Sequence, residues 1–180
     1  MIKICFDYGH GGWDPGALYG DRREKDDVLD LGRRVAAEVR RHGLIVDETR
    51  TSDRSISLAE RVAFERENTY DYFISFHRNA FRPEEARGVE VFVYRKATRR
   101  ARELAGKIQS SLVGLGFVDR GVKRAGFYVL RNTRAPALLL EIGFLDNSLD
   151  NKLFDEKREK IAEEISKAIL SHLAIAYIKK

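Results

Sequence analysis

The sequence predicts a single α/β domain over residues 1–180, built on a mostly parallel, twisted open sheet of about six strands with helices on both faces. Three observations carry this. Short apolar runs of strand character alternate along the chain with segments whose apolar residues recur at helical spacing. Right-handed crossovers between parallel strands then put those helices on both faces of the sheet. No internal repeat or low-complexity linker divides the 180 residues, and 43% hydrophobic content at that length supports one proper core.

The elements follow in order. Ile2 to Phe6 is a short apolar run that opens into the glycine-rich Asp7-Tyr8-Gly9-His10-Gly11-Gly12, so it reads as a buried strand ending in a loop. Val28, Leu31, Val35 and Val39 recur at helical spacing, and Arg41-His42-Gly43 supplies cations and a glycine stop. Leu44 to Val46 forms a second strand. Ser57-Leu58-Ala59-Glu60 has capping-box spacing and opens another helix with Leu58 and Val62 inward. Tyr72 to Phe76 is a third strand that ends at His77, and Val89, Val91 and Val93 alternate with Glu90, Phe92 and Tyr94 as in a half-buried strand. Ala101, Leu104, Ala105, Ile108 and Leu112 stripe a third helix. Phe127–Leu130 and Ala137–Leu140 read as two late strands, and Ile161, Ile165, Ile169 and Leu173 mark a closing helix.

Composition excludes several function classes. Charged residues interrupt every hydrophobic run well short of the ~20 residues a membrane helix needs, so no membrane insertion is expected. The start shows no basic, apolar and small-residue succession of a secretory signal. The expectation is therefore a chain made in the cytoplasm that acts elsewhere only after release or export. Cys5 is the only cysteine and lies in an apolar strand pattern, which predicts inert packing. A net charge of +5 favours approach to polyanions such as the anionic polymers of a cell wall. No compact run of Lys and Arg interleaved with aromatics appears, so no nucleic-acid partner is expected, and the chain is expected to be a monomer.

In open α/β sheets ligands sit outside the carboxyl ends of the strands. His10 closely follows the first strand, His77 directly follows the third, and Glu141 comes straight after Ala137–Leu140. Singly, a histidine there is a hydrogen-bonded loop residue. Together, two imidazoles and a carboxylate on one rim are the minimum for a catalytic zinc with three protein ligands and an open fourth position. Glu24, at the start of the first helix, is the natural third ligand, although Asp21 three residues earlier gives it equally good capping-box spacing. Glu141, between Leu138-Leu139-Leu140 and Ile142, should be partly desolvated with a raised pKa, which suits a general base. The alternative is a buried glutamate paired with an arginine such as Arg131. His42 and His172 fit structural roles on their helices. Trp13 either stacks on a sugar or pins its loop, and Asn79 either bonds substrate or serves a turn.

Four ordered landmarks carry a family resemblance. Phe6-Asp7-Tyr8-Gly9-His10-Gly11-Gly12-Trp13-Asp14-Pro15-Gly16-Ala17, followed by Glu24-Lys25, resembles the opening of the zinc-dependent N-acetylmuramoyl-L-alanine amidases of type three. Thr49-Arg50-Thr51-Ser52-Asp53 with Leu58 and Arg61, then Ser75-Phe76-His77-Arg78-Asn79-Ala80, resemble the next two landmarks. Pro136-Ala137-Leu138-Leu139-Leu140-Glu141-Ile142-Gly143-Phe144-Leu145-Asp146-Asn147 is similar to the last. The resemblance implies one catalytic Zn2+ on His10, Glu24 and His77, with Glu141 as the catalytic carboxylate. It further implies hydrolysis of the amide between N-acetylmuramic acid and L-alanine in bacterial peptidoglycan, by zinc-activated water with Glu141 as general base and acid. Arg78 departs from the family's usual small residue and is expected either to touch substrate or to point into solvent. The short Glu24–His77 interval leaves no room for the regulatory insertion of some members, so the chain resembles the compact enzymes of phage endolysins and sporulation. A peptidase on the same frame, a wall-binding module without catalysis and a phosphate-binding glycine loop are the rival readings. The last needs a helix right after Gly12, where Asp14-Pro15-Gly16 intervenes.

Overall fold

The computed structural model describes residues 1–179. Strand β1 (Lys3–Tyr8) leads into the glycine loop, followed by a two-residue hairpin, β2 (Leu18–Tyr19) and β3 (Arg22–Arg23). Helix α1 (Glu24–Arg41) starts on a first turn carrying Glu24, Asp26 and Asp27 and ends on Arg40 and Arg41, so both ends complement the helix dipole. Its N-cap is Arg23 and no side chain caps it. The Asp21–Glu24 capping box is therefore not formed, which leaves the Glu24 carboxylate free for other partners. Strand β4 (Ile45–Glu48) and helix α2 (Leu58–Arg66) follow, the latter opened by the expected Ser57/Glu60 capping box. Then come β5 (Tyr72–Asn79), β6 (Val89–Tyr94), α3 (Arg99–Val113), β7 (Asp119–Ala125), α4 (Tyr128–Asn132), β8 (Ala137–Phe144), α5 (Ser148–Glu156) and α6 (Arg158–His172).

The six-stranded sheet runs β4-β1-β5-β8-β6-β7. All of its pairings are parallel except β8–β6. The strand count matches expectation, but one member differs. Phe127–Leu130 enters a short helix instead of a strand, and the sixth strand is the polar β7 at the sheet edge. Helices α5 and α4 were not foreseen as helices.

Side-chain alternation along the strands divides the interior in two. Ile4, Phe6 and Tyr8 of β1, Tyr72, Ile74 and Phe76 of β5, and Leu138, Leu140 and Ile142 of β8 face α1, α3 and α6 in the larger core. Cys5, Phe73, Ala137 and Leu139 face the other way into a smaller cluster with Val62 of α2 and Val129 and Leu130 of α4. Continuing the alternation, Asp7, Ser75, His77 and Glu141 fall on this second, thinly covered face. The two short helices on that face leave room for a cleft at the carboxyl ends of β1, β5 and β8. The fully buried Cys5 thiol is pushed up by burial and by Asp7, so it stays protonated and inert.

Candidate metal centre

A cleft of about 920 Å³ opens at those strand ends, with His10, Glu24, His77 and Glu141 among its lining residues. One ligand atom from each of His10, Glu24 and His77 lies within 4.8 Å of the others. Glu24 stands between the two rings: its Oε2 is 3.0 Å from His10 Nε2 and its Oε1 is 2.8 Å from His77 Nδ1. The backbone N–H groups of Ala17 and Arg78 also donate to these oxygens, at 2.9 and 3.0 Å, so the carboxylate is fixed from both sides. Burial would raise its pKa, but the bonds and charges of the two histidines outweigh that and hold it far below the usual carboxylate range. Asp14 accepts at 2.7 Å from His10 Nδ1, which orients the ring so that Nε2 faces Glu24. Two imidazoles and an ionised carboxylate converging on one point suit zinc in number and type.

The glycine loop has its residues because the rings need its space. A Cβ on Gly9 would lie 2.2 Å from His77 Cε1, and one on Gly16 would lie 2.5 Å from Glu24 Oε2 and 2.6 Å from His10 Cδ2. His10 itself takes a left-handed φ of 62°, a conformation that costs energy in a residue with a side chain. Its surroundings impose it. Arg61 donates to the carbonyls of Tyr8 and His10 at 2.7 Å each, and Arg50 donates to those of Tyr8 and Gly9 at 2.9 Å each. Lys25 Nζ reaches the Gly12 carbonyl at 2.9 Å and Asp53 at 2.7 Å, while Asp53 also takes the Gly12 N–H. The Thr49–Asp53 segment, Lys25 and Arg61 thus act as the mould of the ligand loop. Sequence reasoning marked these residues by resemblance without finding that role.

Glu141 pairs in register with His77 across β5 and β8, so both side chains emerge on the cleft face. No arginine pairs with it, and its Oε2 is buried without a hydrogen-bond partner. Burial, then the charges of Glu24 and Glu90, push its pKa well above the carboxylate range, and Arg78 opposes them only in part. Asn79 also lines the cleft. It ends β5 instead of a turn, with its Nδ2 donating to Glu90 at 2.6 Å and its Oδ1 accepting from the Ala80 N–H at 2.9 Å.

Arg78 behaves otherwise than expected. Strand alternation turns its side chain away from His77 into the larger core, where it is fully buried. There the guanidinium bonds Asp27 of α1 at 2.7 Å and the Ile142 carbonyl at 3.0 Å, and stacks 4.2 Å from the Phe154 ring centroid. The guanidinium therefore does not point into solvent, and a contact with substrate has no support in these bonds. His42 bonds the Glu38 carbonyl and His172 the Tyr72 hydroxyl, both away from the cleft.

Two imidazoles and a carboxylate able to hold a metal ion, with a carboxyl of raised proton affinity beside them at the carboxyl ends of the central strands of an open α/β sheet, have the constitution of a metal-assisted hydrolase. Comparison with known proteins narrows that class. The chain belongs to the N-acetylmuramoyl-L-alanine amidase family, whose model matches residues 4–171. It is 36% identical over 173 residues to the uncharacterized protein YqiI of Bacillus subtilis, covering 94% of this chain and 84% of that one. It is 33% identical over 175 residues to the N-acetylmuramoyl-L-alanine amidase LytC of Bacillus subtilis, covering 94% of this chain but only 35% of LytC. Among solved structures, an N-acetylmuramoyl-L-alanine amidase from Clostridium difficile 630 superposes with a TM-score of 0.89 at 33% identity, covering 96% of this chain and 97% of that one. Among the described residues, no helix is long and apolar enough to cross a membrane.

Proposed function

We propose that this chain hydrolyses the amide between the lactyl carbonyl of N-acetylmuramic acid and L-alanine in bacterial peptidoglycan, using one zinc ion. The observation that carries the reading is the pairing of the His10–Glu24–His77 cluster with the unpartnered carboxyl of Glu141 in one cleft. His10 Nε2, Glu24 and His77 Nδ1 would hold the metal. When bound, zinc supplies Lewis acidity toward a carbonyl oxygen and makes a water molecule acidic near neutral pH. Glu141 accepts a proton from the attacking water as the water oxygen bonds to the lactyl carbon. It returns that proton to the alanine nitrogen as the C–N bond breaks. A carboxyl with a raised pKa suits both halves of this exchange. Asn79, bonded to Glu90 at the cleft wall, would bond the substrate's amide or hydroxyl groups.

The test is digestion of purified cell walls. New amino ends should be L-alanine, with no new reducing sugar, which separates an amidase from a peptidase or a glycosidase. Glu141→Ala should keep stoichiometric zinc and lose hydrolysis by roughly 10²–10⁴-fold, whereas His77→Ala should lose both metal and activity. A Glu141→Ala protein that released stem peptides at the parent rate would sink the assignment of the proton carrier.

A further inference from the structure

Trp13 is the only tryptophan in the chain and is 96% exposed, although it lines the cleft next to Asp14 and three residues after His10. Its indole covers nothing, so it does not pin the loop. The backbone beneath it is nevertheless rigid. Gly11 and Asp14 exchange hydrogen bonds at 2.8 and 3.2 Å, and the Trp13 N–H donates to Ser55 Oγ at 3.0 Å. A large aromatic face held out at the mouth of a cleft, with no internal packing to justify it, is a surface prepared for a ligand.

Charge decides which ligand. The cations that line the cleft, Arg61 and Arg78, are buried and paired with Asp7 and Asp27. The exposed charges at its mouth, Asp14 and Glu60, are carboxylates. Such a rim does not attract the free carboxylates of a stem peptide, but carboxylates and an indole face suit a neutral, hydroxyl-rich ring with an apolar C–H face. We propose that Trp13 is the stacking platform for a pyranose ring of the glycan strand, and therefore sets a preference for polymeric wall over free muramoyl peptides. This rests on the amidase reading for the identity of the sugar.

The lone indole is its own reporter. Titrating the wild-type protein with neutral, β-1,4-linked oligomers of N-acetylglucosamine, which present the same pyranose faces without carboxylates, should shift its emission to shorter wavelength, saturably. Trp13→Ala should lower kcat/KM on intact walls roughly tenfold, more through KM than kcat, with Trp13→Phe recovering most of the loss. The unfolding midpoint of Trp13→Ala should match the parent. Emission that ignores the glycan, or responds equally to free stem peptide, overturns the proposal, as does a Trp13→Ala protein with parental KM on walls. Absence of alanine-ended products from the wild type would instead remove the amidase reading, while the glycan titration would still report on Trp13.

Discussion

Two carboxylates on the same sheet face, the buried Asp7 and the half-buried Glu141, are provided for in opposite ways. Asp7, on β1, accepts from Arg61 at 2.6 Å, Ser75 at 2.7 Å and Thr49 at 2.8 Å. Burial alone would raise its pKa, but the Arg61 charge and these three donors outweigh it and hold the group ionised. Glu141, on β8, has no cation in contact, an unpartnered Oε2, and carboxylates as its main charged neighbours. A shared sheet face therefore does not mean shared chemistry. The first site is saturated with donors and serves as a foundation for the His10 loop. The second is left short of donors, and that shortage raises its affinity for a proton.

Breaking the saturated site should have the largest effect. Arg61→Ala leaves Asp7 as a buried, unpaired charge and strips donors from the Tyr8 and His10 carbonyls, so denaturant unfolding should show a loss of about 3–5 kcal/mol. A loss below about 1 kcal/mol would mean that the Asp7 pair is no foundation. Asp14→Ala sharpens the other side of the contrast. Asp14 is largely exposed and bonds the outer nitrogen of His10, so its removal should weaken zinc by roughly 10–100-fold with little change in unfolding. Competition with a chelator measures the first effect, and parental zinc affinity would show that Asp14 does not set the ring.

How much of this was legible in the sequence follows from how local each signal is. His10, His77 and Glu141 sit at the ends of apolar runs, so strand-end placement finds them and the sheet brings them together. Glu24 was ambiguous because its spacing from Asp21 suits a capping box and a ligand alike; the box is absent, and the carboxylate bonds His77, 53 residues away. The burial of Arg78 was missed because its counter-ion Asp27 lies on another element. Alternation from His77 already placed the two side chains on opposite faces, and that signal was available. Strand β7, Asp-Arg-Gly-Val-Lys-Arg-Ala, is a polar edge strand without apolar periodicity, and only its pairing with β6 defines it. Phe127–Leu130 shows the reverse problem, since a short apolar run does not distinguish a strand from one buried helical turn.

The smallest predicted effects are the most discriminating, because the two carboxylates should give stability opposite slopes with pH. Asp7 is held below its ordinary 3.8, so its contribution is present above that pH and is lost as pH falls through the folded value. Asp7→Asn should therefore be destabilised at neutral pH, with the gap to the parent closing in acid. Glu141 is raised above its ordinary 4.5, so the folded protein binds the extra proton and stability falls as pH rises from 4.5 toward the folded value. Glu141→Gln lacks that loss. In chelator-treated protein it should match the parent below pH 4.5 and exceed it in stability at neutral pH. Thermal unfolding of both variants across the acid-to-neutral range measures the slopes. A Glu141→Gln protein no more stable than the parent at neutral pH would show that the carboxyl is adequately solvated, and the contrast with Asp7 would then lose its physical basis.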